Sequence, residues 1–492
     1  MRKFGWMLVS MLILVSAPAL GLCRTRALLV ACKEFVSQPD LGSAISGNLH
    51  MIGSALVGAG LRGTDLSVED GTIGSVGALE ASMEDAFSAA SEEDLSILYL
   101  CTHGILSSSD DEQVYLLLGD GTMESPLSAA ELYELIRGIQ GEKLLILDAC
   151  YSGALIGRGM PEQTLLPGTR AGEALPSVFL ADPSIHVLTS ASGYESSWYY
   201  DSESLSSGAV SYFASALSSG IGLYGTLEAD ADGDGGVSLM ELQRYLSVAV
   251  PSSSSQLLSA RADSLFLPVA TGPMLSRPLS GFSYGPSLLM ADEPTLDFSF
   301  TVTQDTAIQY RLIDFEDGRW NWEDATVFLD EGDDGSGMLD AGRKTRSLTL
   351  SNLSADDSGY LMLQIFSVCE DEVILCSERL IAVQPVLSEA PFGLSSPSTL
   401  NLADMHELPI DVRLGVPAEI TVSVFDEEGS LVRRLASSQL TRPTPGGITR
   451  LYWDGRDAQG VQVAEGQYTL AAETLVGSVR HKATTGVTVT SR

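Results

Sequence analysis

Apolar residues follow two rhythms along this chain, and the change between them comes near Pro273. Before that point, unbroken runs of strand length rich in Ile, Leu and Val alternate with stretches of helical spacing. The runs are TRALLVAC from Thr25, ILYLC from Ile97, VYLLL from Val114, LLILD from Leu144 and IHVLT from Ile185. A run without polar alternation marks a strand covered on both faces. Helices are predicted between the runs, over about 41–56, 79–90, 128–139 and 208–217. In the second of these, Leu79, Met83, Ala86 and Phe87 share one face; in the third, Ser128 and Glu131 make a capping box and Gly141 supplies the stop. With a closing strand at Leu265-Phe266-Leu267, the pattern predicts an α/β domain, a central, mostly parallel sheet between two helical layers.

After Pro273 the period shortens to two. LDFSFTVT, IQYRLIDF, SLTLSNL and YLMLQIF alternate apolar and polar positions between polar turns, the signature of an all-β sandwich. LSADDSGY, ending at Tyr360, resembles the corner before strand F of immunoglobulin-like domains. A second all-β sandwich is expected from Ala390 onward. The amino end carries Arg2 and Lys3, an apolar stretch over 6–15 too short to span a bilayer, and the small-residue site Ala17-Pro18-Ala19, which together read as an export signal cut after Ala19 or Gly21. The expected divisions are therefore a signal peptide at 1–19, an α/β domain at 24–272, and β-sandwiches at 273–386 and 390–492.

Charge and cysteines narrow the function. With 64 acidic against 28 basic residues the net charge is -36, a surface that repels nucleic acid and anionic membrane and favours cations or basic substrates. No transmembrane anchor is expected, and the secreted or extracytoplasmic location, in a bacterium, follows from the signal. Of the six cysteines, Cys32 and Cys101 sit in apolar runs as buried hydrophobes, while Cys369 and Cys376 flank an acidic hairpin and could pair in an oxidising compartment.

Two of the apolar runs end in reactive residues: ILYLCTHG reaches His103-Gly104, and LLILDACYSG reaches Asp148-Ala149-Cys150 and then Ser152-Gly153. The carboxyl ends of parallel strands are where α/β sheets carry chemistry. His103 precedes Cys150 by 47 residues, near the roughly 50-residue spacing found in caspases. These motifs resemble the catalytic dyad of the caspase-like cysteine peptidases, nearer the metacaspase and bacterial branch, with Thr102 where relatives commonly have Gly and Tyr151 where metacaspases have His. The resemblance implies a caspase-like three-layer fold and a cysteine endopeptidase acting on protein or peptide substrates. Cys150 would be the nucleophile and His103 the acid/base; the N–H groups of Cys150 and Gly104 would form the oxyanion hole; Gly104 and Gly153 would leave room for the peptide; no catalytic metal is needed. Asp148 stands where animal caspases place a Gln, and Glu195 falls near a second acidic pocket position of metacaspases. Two carboxylates there would favour cleavage after Arg or Lys. The Gly- and Pro-rich stretch after Cys150 holds Arg158 and Arg170, where such an enzyme could cut itself. The alternative is a catalytically silent surface-binding or adhesion protein.

A second motif is DADGDGGVSLME from Asp230. Asp230, Asp232, Asp234, the Gly236 carbonyl, Ser238 and Glu241 occupy the ligand positions of an EF-hand loop, so a bound calcium is expected. Ser238 and Glu241 fit equally well as a capping box. Near the carboxyl end, Trp453-Asp454-Gly455, Gly460 and Gly466 to Tyr468 resemble the immunoglobulin-like domain of flagellar hook-capping proteins, which implies a spacer or a module for cell-surface attachment.

Overall fold

The computed structural model describes residues 24–42, 44–106, 114–158, 177–200, 210–350, 355–369, 372–386, 391–404, 407–444 and 447–491. The expected signal peptide and Arg170 lie outside the described residues.

The amino-terminal domain is built in the order β1 (Thr25–Ala31), α1 (Ala44–Gly58), β2 (Leu66–Asp70), α2 (Val76–Phe87), β3 (Leu95–Cys101), β4 (His103–Leu106), β5 (Val114–Gly119), β6 (Glu124–Leu127), α3 (Ala129–Ile136), β7 (Glu142–Asp148), β8 (Ile185–Thr189), β9 (Tyr199–Tyr200), β10 (Val210–Ser211), α4 (Tyr212–Gly220), α5 (Leu239–Ala249) and β11 (Gln256–Leu258). Six of these strands form one sheet in the order β11-β8-β7-β3-β1-β2, with every pairing parallel except that of β11. Alternate residues of the same strands go to opposite cores. Leu29, Ile97, Tyr99, Leu144 and Ile146 pack under α1, α4 and α5, whereas Leu28, Val30, Leu98, Leu100, Leu145 and Leu147 pack under α2 and α3. Each fully buried Leu or Ile contributes about 1.5–3 kcal/mol, so the sheet is the rigid part of the molecule.

Two sequence expectations change. Leu265-Phe266-Leu267 is not a sheet strand: Leu265 and Leu267 bond to the backbone of Leu239 and Val237, and the last strand is instead β11 beside β8. The run from Val114 lies outside the central sheet, in a small antiparallel β4-β5-β6 sheet. His103 itself begins a strand of that sheet.

Residues 279–384 form a sandwich of a three-stranded and a six-stranded sheet, packed through Phe298, Phe300, Ile308, Leu363 and Ile381. Cys369 and Cys376 are both free thiols: Cys376 is buried in that core while Cys369 lies against Thr306, so hairpin register separates them. Residues 392–490 form a second sandwich, three strands on five, around Trp453, Ile410, Val422 and Leu470. Tyr360, at the start of the strand Gly359–Cys369, places its hydroxyl 2.8 Å from the Thr441 hydroxyl of this last sandwich. Gln384 joins the two sandwiches, donating to the carbonyls of Pro417 and Leu475 and accepting from the Gly477 N–H.

Candidate functional site

The parallel register of β3 and β7 sets Cys101 opposite Asp148, and the next residue, Thr102, donates its N–H to the Asp148 carbonyl at 3.2 Å. Both chains then leave the sheet together. Gly104 arrives against the backbone of Cys150, so closely that any β-carbon on it would overlap the Cys150 carbonyl. His103 and Cys150 are thus brought to the same end of adjacent strands, and both side chains are partly exposed.

The loop that carries the thiol is held by backbone bonds rather than by packing alone. Ala149 donates to the Ser190 hydroxyl, Tyr151 to the Glu195 carbonyl and Gly153 to the Ala191 carbonyl. Tyr151 takes a left-handed conformation at φ 59°, unfavourable for a residue with a β-carbon by about 1 kcal/mol or more, and the flanking bonds hold it there. A β-carbon on Gly153 would meet Ala191 O, Gly193 N and Ser192 C, each at 2.9 Å. Gly104 and Gly153 are therefore required by the protein's own backbone, a different reason from the substrate clearance that their resemblance implies.

His103 is fixed from two sides that the sequence did not identify. Its Nε2 lies 2.8 Å from the Pro39 carbonyl, and its ring packs on Phe35 with centroids 4.7 Å apart. A carbonyl can only accept, so Nε2 is the donor, and the neutral tautomer that fits this bond is the one with its lone pair on Nδ1. The turn at Gln38-Pro39 was legible as punctuation, but nothing in the sequence says that its carbonyl faces a histidine 64 residues on. Of the other histidines, His186 is fully buried between Ser259 and Glu142 and belongs to the scaffold.

Around Cys150 the thiol lies 3.8 Å from the Ser197 carbonyl, and burial pushes its pKa up, with the Asp148 charge adding a smaller push. Ser197 also links the thiol to Asp148, donating its hydroxyl to Asp148 Oδ1 at 3.0 Å. Asp148 is buried and surrounded by neutral donors: Ser211 at 2.6 Å, Tyr99 at 2.8 Å and Asn48 at 3.4 Å on Oδ2. Burial raises its pKa, and these hydroxyls oppose the rise. Glu195 lies elsewhere. Its carboxylate accepts from the Ser254 N–H at 2.8 Å and the Ser254 hydroxyl at 3.1 Å, and it shares no hydrogen-bond partner with Asp148. The structure therefore sets Gly104, the residue after His103, against the Cys150 backbone, links the thiol to Asp148 through Ser197, and turns the Glu195 carboxylate toward β11.

Arg158 is not presented for cleavage. Its guanidinium is buried in a fork with Glu407 of the last sandwich, at 2.8 and 2.5 Å, and also donates to the Leu257 carbonyl.

In the acidic loop, carboxylate oxygens of Asp230, Asp232 and Asp234 lie within 4.8 Å of one another. Asp230 accepts from Gly233 and Gly235, and Gly235 has the positive φ of 87° that this tight turn needs. Ser238 and Glu241 form the complete capping box of α5, and Glu241 also accepts from the Ala231 N–H, so both residues are engaged within the loop and outside the aspartate cluster. Gly236 follows, its N–H bound to Asp234.

Among the described residues no helix is long and apolar enough to cross a membrane. Residues 15–171 match the CHAT domain and residues 401–478 the FlgD Ig-like domain. No curated protein matches the chain. Among solved structures, caspase-1 from Spodoptera frugiperda shares 15% identity over 51% of this chain and 92% of its own, at a TM-score of 0.32. The CsuC–CsuE chaperone–tip adhesion subunit complex of Acinetobacter baumannii shares 10% over 43% of this chain and 100% of its own, at 0.23. The Pseudomonas aeruginosa CupB2 chaperone shares 10% over 41% and 96%, at 0.21. The chain is thus similar to the CHAT domain over residues 15–171 and to the FlgD Ig-like domain over residues 401–478.

Proposed function

We propose that this protein is a secreted cysteine endopeptidase in which Cys150 attacks the scissile carbonyl and His103 moves the proton. The reading rests chiefly on one observation: Gly104 is packed on the Cys150 carbonyl while Pro39 holds the adjacent imidazole by Nε2. In that tautomer Nδ1 takes the thiol proton, and the thiolate adds to the carbonyl carbon. The Cys150 and Gly104 N–H groups would receive the developing oxyanion, and the imidazolium then protonates the departing amine, leaving an acyl-enzyme for water to hydrolyse. A thiol whose pKa is raised by burial holds little thiolate at neutral pH on its own, which makes the imidazole essential.

Cleavage after Arg or Lys is proposed from Asp148, a buried carboxyl group one serine away from the thiol. Glu195, already bonded to Ser254, would contribute at longer range through its charge. Incubation of the full chain with fluorogenic peptides differing only at the cleaved position tests both parts: turnover after Arg or Lys that disappears in Cys150→Ala supports the reading, and preference for Asp overturns the pocket assignment. Cys150 labelling without turnover of any peptide would leave the silent surface-binding protein as the better account. In that account the FlgD Ig-like domain attaches the chain to a cell surface.

A calcium ion is proposed for the loop at Asp230, Asp232 and Asp234, with the Gly236 carbonyl, Ser238 and Glu241 completing the EF-hand set; the convergence of the three aspartates supports it. Calorimetric titration should show heat that Asp232→Ala removes, and equal heat from both proteins excludes the site.

A further inference from the structure

The last sandwich, which the sequence presents as a spacer, touches the amino-terminal domain at three places, one of them on the turn that follows Cys150. Arg158 ends the turn that follows the thiol: its N–H donates to the Gly153 carbonyl and its own carbonyl accepts from Gly193. Its side chain is gripped by Glu407, which precedes the first long strand of the sandwich, with both groups buried and the guanidinium 4.8 Å from the centre of the Tyr452 ring. A paired, two-bond fork fixes both position and orientation.

The second contact is Arg442. Its guanidinium donates to the carbonyls of Ser247 at 2.6 Å, Val250 at 3.2 Å, Pro251 at 2.9 Å and Ser253 at 2.8 Å. Helix α5 ends at Ala249 and carries no basic residue in its last turn, so its unsatisfied carbonyls and the negative end of its dipole are met by a cation from another domain. The chain collected by Arg442 leads directly to Ser254, which holds the Glu195 carboxylate, and the Glu195 carbonyl receives the N–H of the strained Tyr151 next to the nucleophile. The third contact is Arg433, which bridges Asp454 and the Ser259 carbonyl just after β11. A cavity of about 870 Å³ lies between the two domains, bordered by Arg158, Tyr194, Arg442 and Tyr452.

We propose that the FlgD Ig-like domain is a working part of the Cys150 site, with Glu407 and Arg442 as positioning residues that hold the nucleophile loop and the Glu195 loop in register. The proposal rests on Cys150 as the reacting group, and its test is separable from peptide turnover. In the full-length protein, the rate of Cys150 alkylation by iodoacetamide is measured across pH in the parent, Glu407→Gln, Glu407→Asp and Arg442→Met, with Lys482→Gln, a surface residue of the same domain, as control. Near-ultraviolet circular dichroism confirms the fold of each. Alkylation is expected to slow about tenfold in Glu407→Gln and Arg442→Met, with a changed pH profile and partial recovery in Glu407→Asp, and any peptide turnover should fall through kcat with KM little changed. Alkylation profiles that superimpose on the parent in folded Glu407→Gln and Arg442→Met overturn the proposal, whether or not the parent cleaves peptides. If Glu407→Gln does not fold, Glu407→Asp and Arg442→Met give the same two outcomes.

Discussion

Two buried arginine–carboxylate pairs tie the amino-terminal domain to the β domains, and they meet it at opposite kinds of place. Arg277, at the entrance to the first sandwich, lies 3.5 Å from Glu228 and over the Tyr224 ring at 3.9 Å, in the region between α4 and the acidic loop. Arg158 meets Glu407 at the end of the turn that begins with Cys150. The chemistry of the two pairs is the same and their burial is similar, but one anchors helices and the other anchors the reactive loop. The two β-sandwiches therefore grip different segments of the same neighbour.

The comparison is broken most severely by cutting each pair in turn. Arg158→Ala and Arg277→Ala each strand a buried carboxylate, and both are expected to lower stability by about 3–5 kcal/mol in denaturant titrations. Only Arg158→Ala should also slow Cys150 alkylation in the protein that remains folded; equal slowing by both would erase the distinction. Next in size is Glu378, on Glu372–Gln384, the strand of the first sandwich that packs on α5 of the amino-terminal domain. Burial pushes its pKa up from the ordinary 4.5 to about 8, with Gln364 as its hydrogen-bond partner. Between these two values the unfolded chain releases the proton while the folded one keeps it, so stability falls as pH rises through that window and levels off above pH 8. Glu378→Gln should remove a penalty of up to a few kcal/mol at pH 8, visible as a flatter dependence of Tm on pH, with Cys150 reactivity unchanged. A smaller effect is expected from Trp320→Phe, which loses the indole bond to the Pro251 carbonyl at 3.3 Å. Because Arg442 holds the same carbonyl, the loss should be about 0.5–1.5 kcal/mol by chemical denaturation, with alkylation within twofold of the parent.

The parts of the candidate site that follow the strand ends of the central sheet were legible beforehand. His103 and Cys150 stand at the ends of unbroken apolar runs, and parallel strands deliver their carboxyl ends to one edge whatever the details of packing. The supports of the site were not legible. Pro39, Phe35, Ser197 and Ser254 are ordinary turn and loop residues, and each acquires its role from a partner far away in sequence. Leu265-Phe266-Leu267 reads as a strand by composition, yet its backbone is taken by the chain around Val237, and the less apolar β11 takes the sheet edge.

By itself the sequence determined the local matters: the alternation of buried strands and helices, the shift to period two after Pro273, the capping boxes at Ser128 and Ser238, and the placement of a thiol and an imidazole at strand ends. Those depend on residues within a turn or a strand of one another. Only the tertiary structure decided that Gly104 would abut the Cys150 carbonyl, that Glu195 would face Ser254, that Arg158 would join the turn after Cys150 to the last sandwich, and that Arg442 would join the end of α5 to it. Those contacts link residues up to 249 positions apart, and at such range no spacing rule operates; which charge finds which partner is set by how the domains pack.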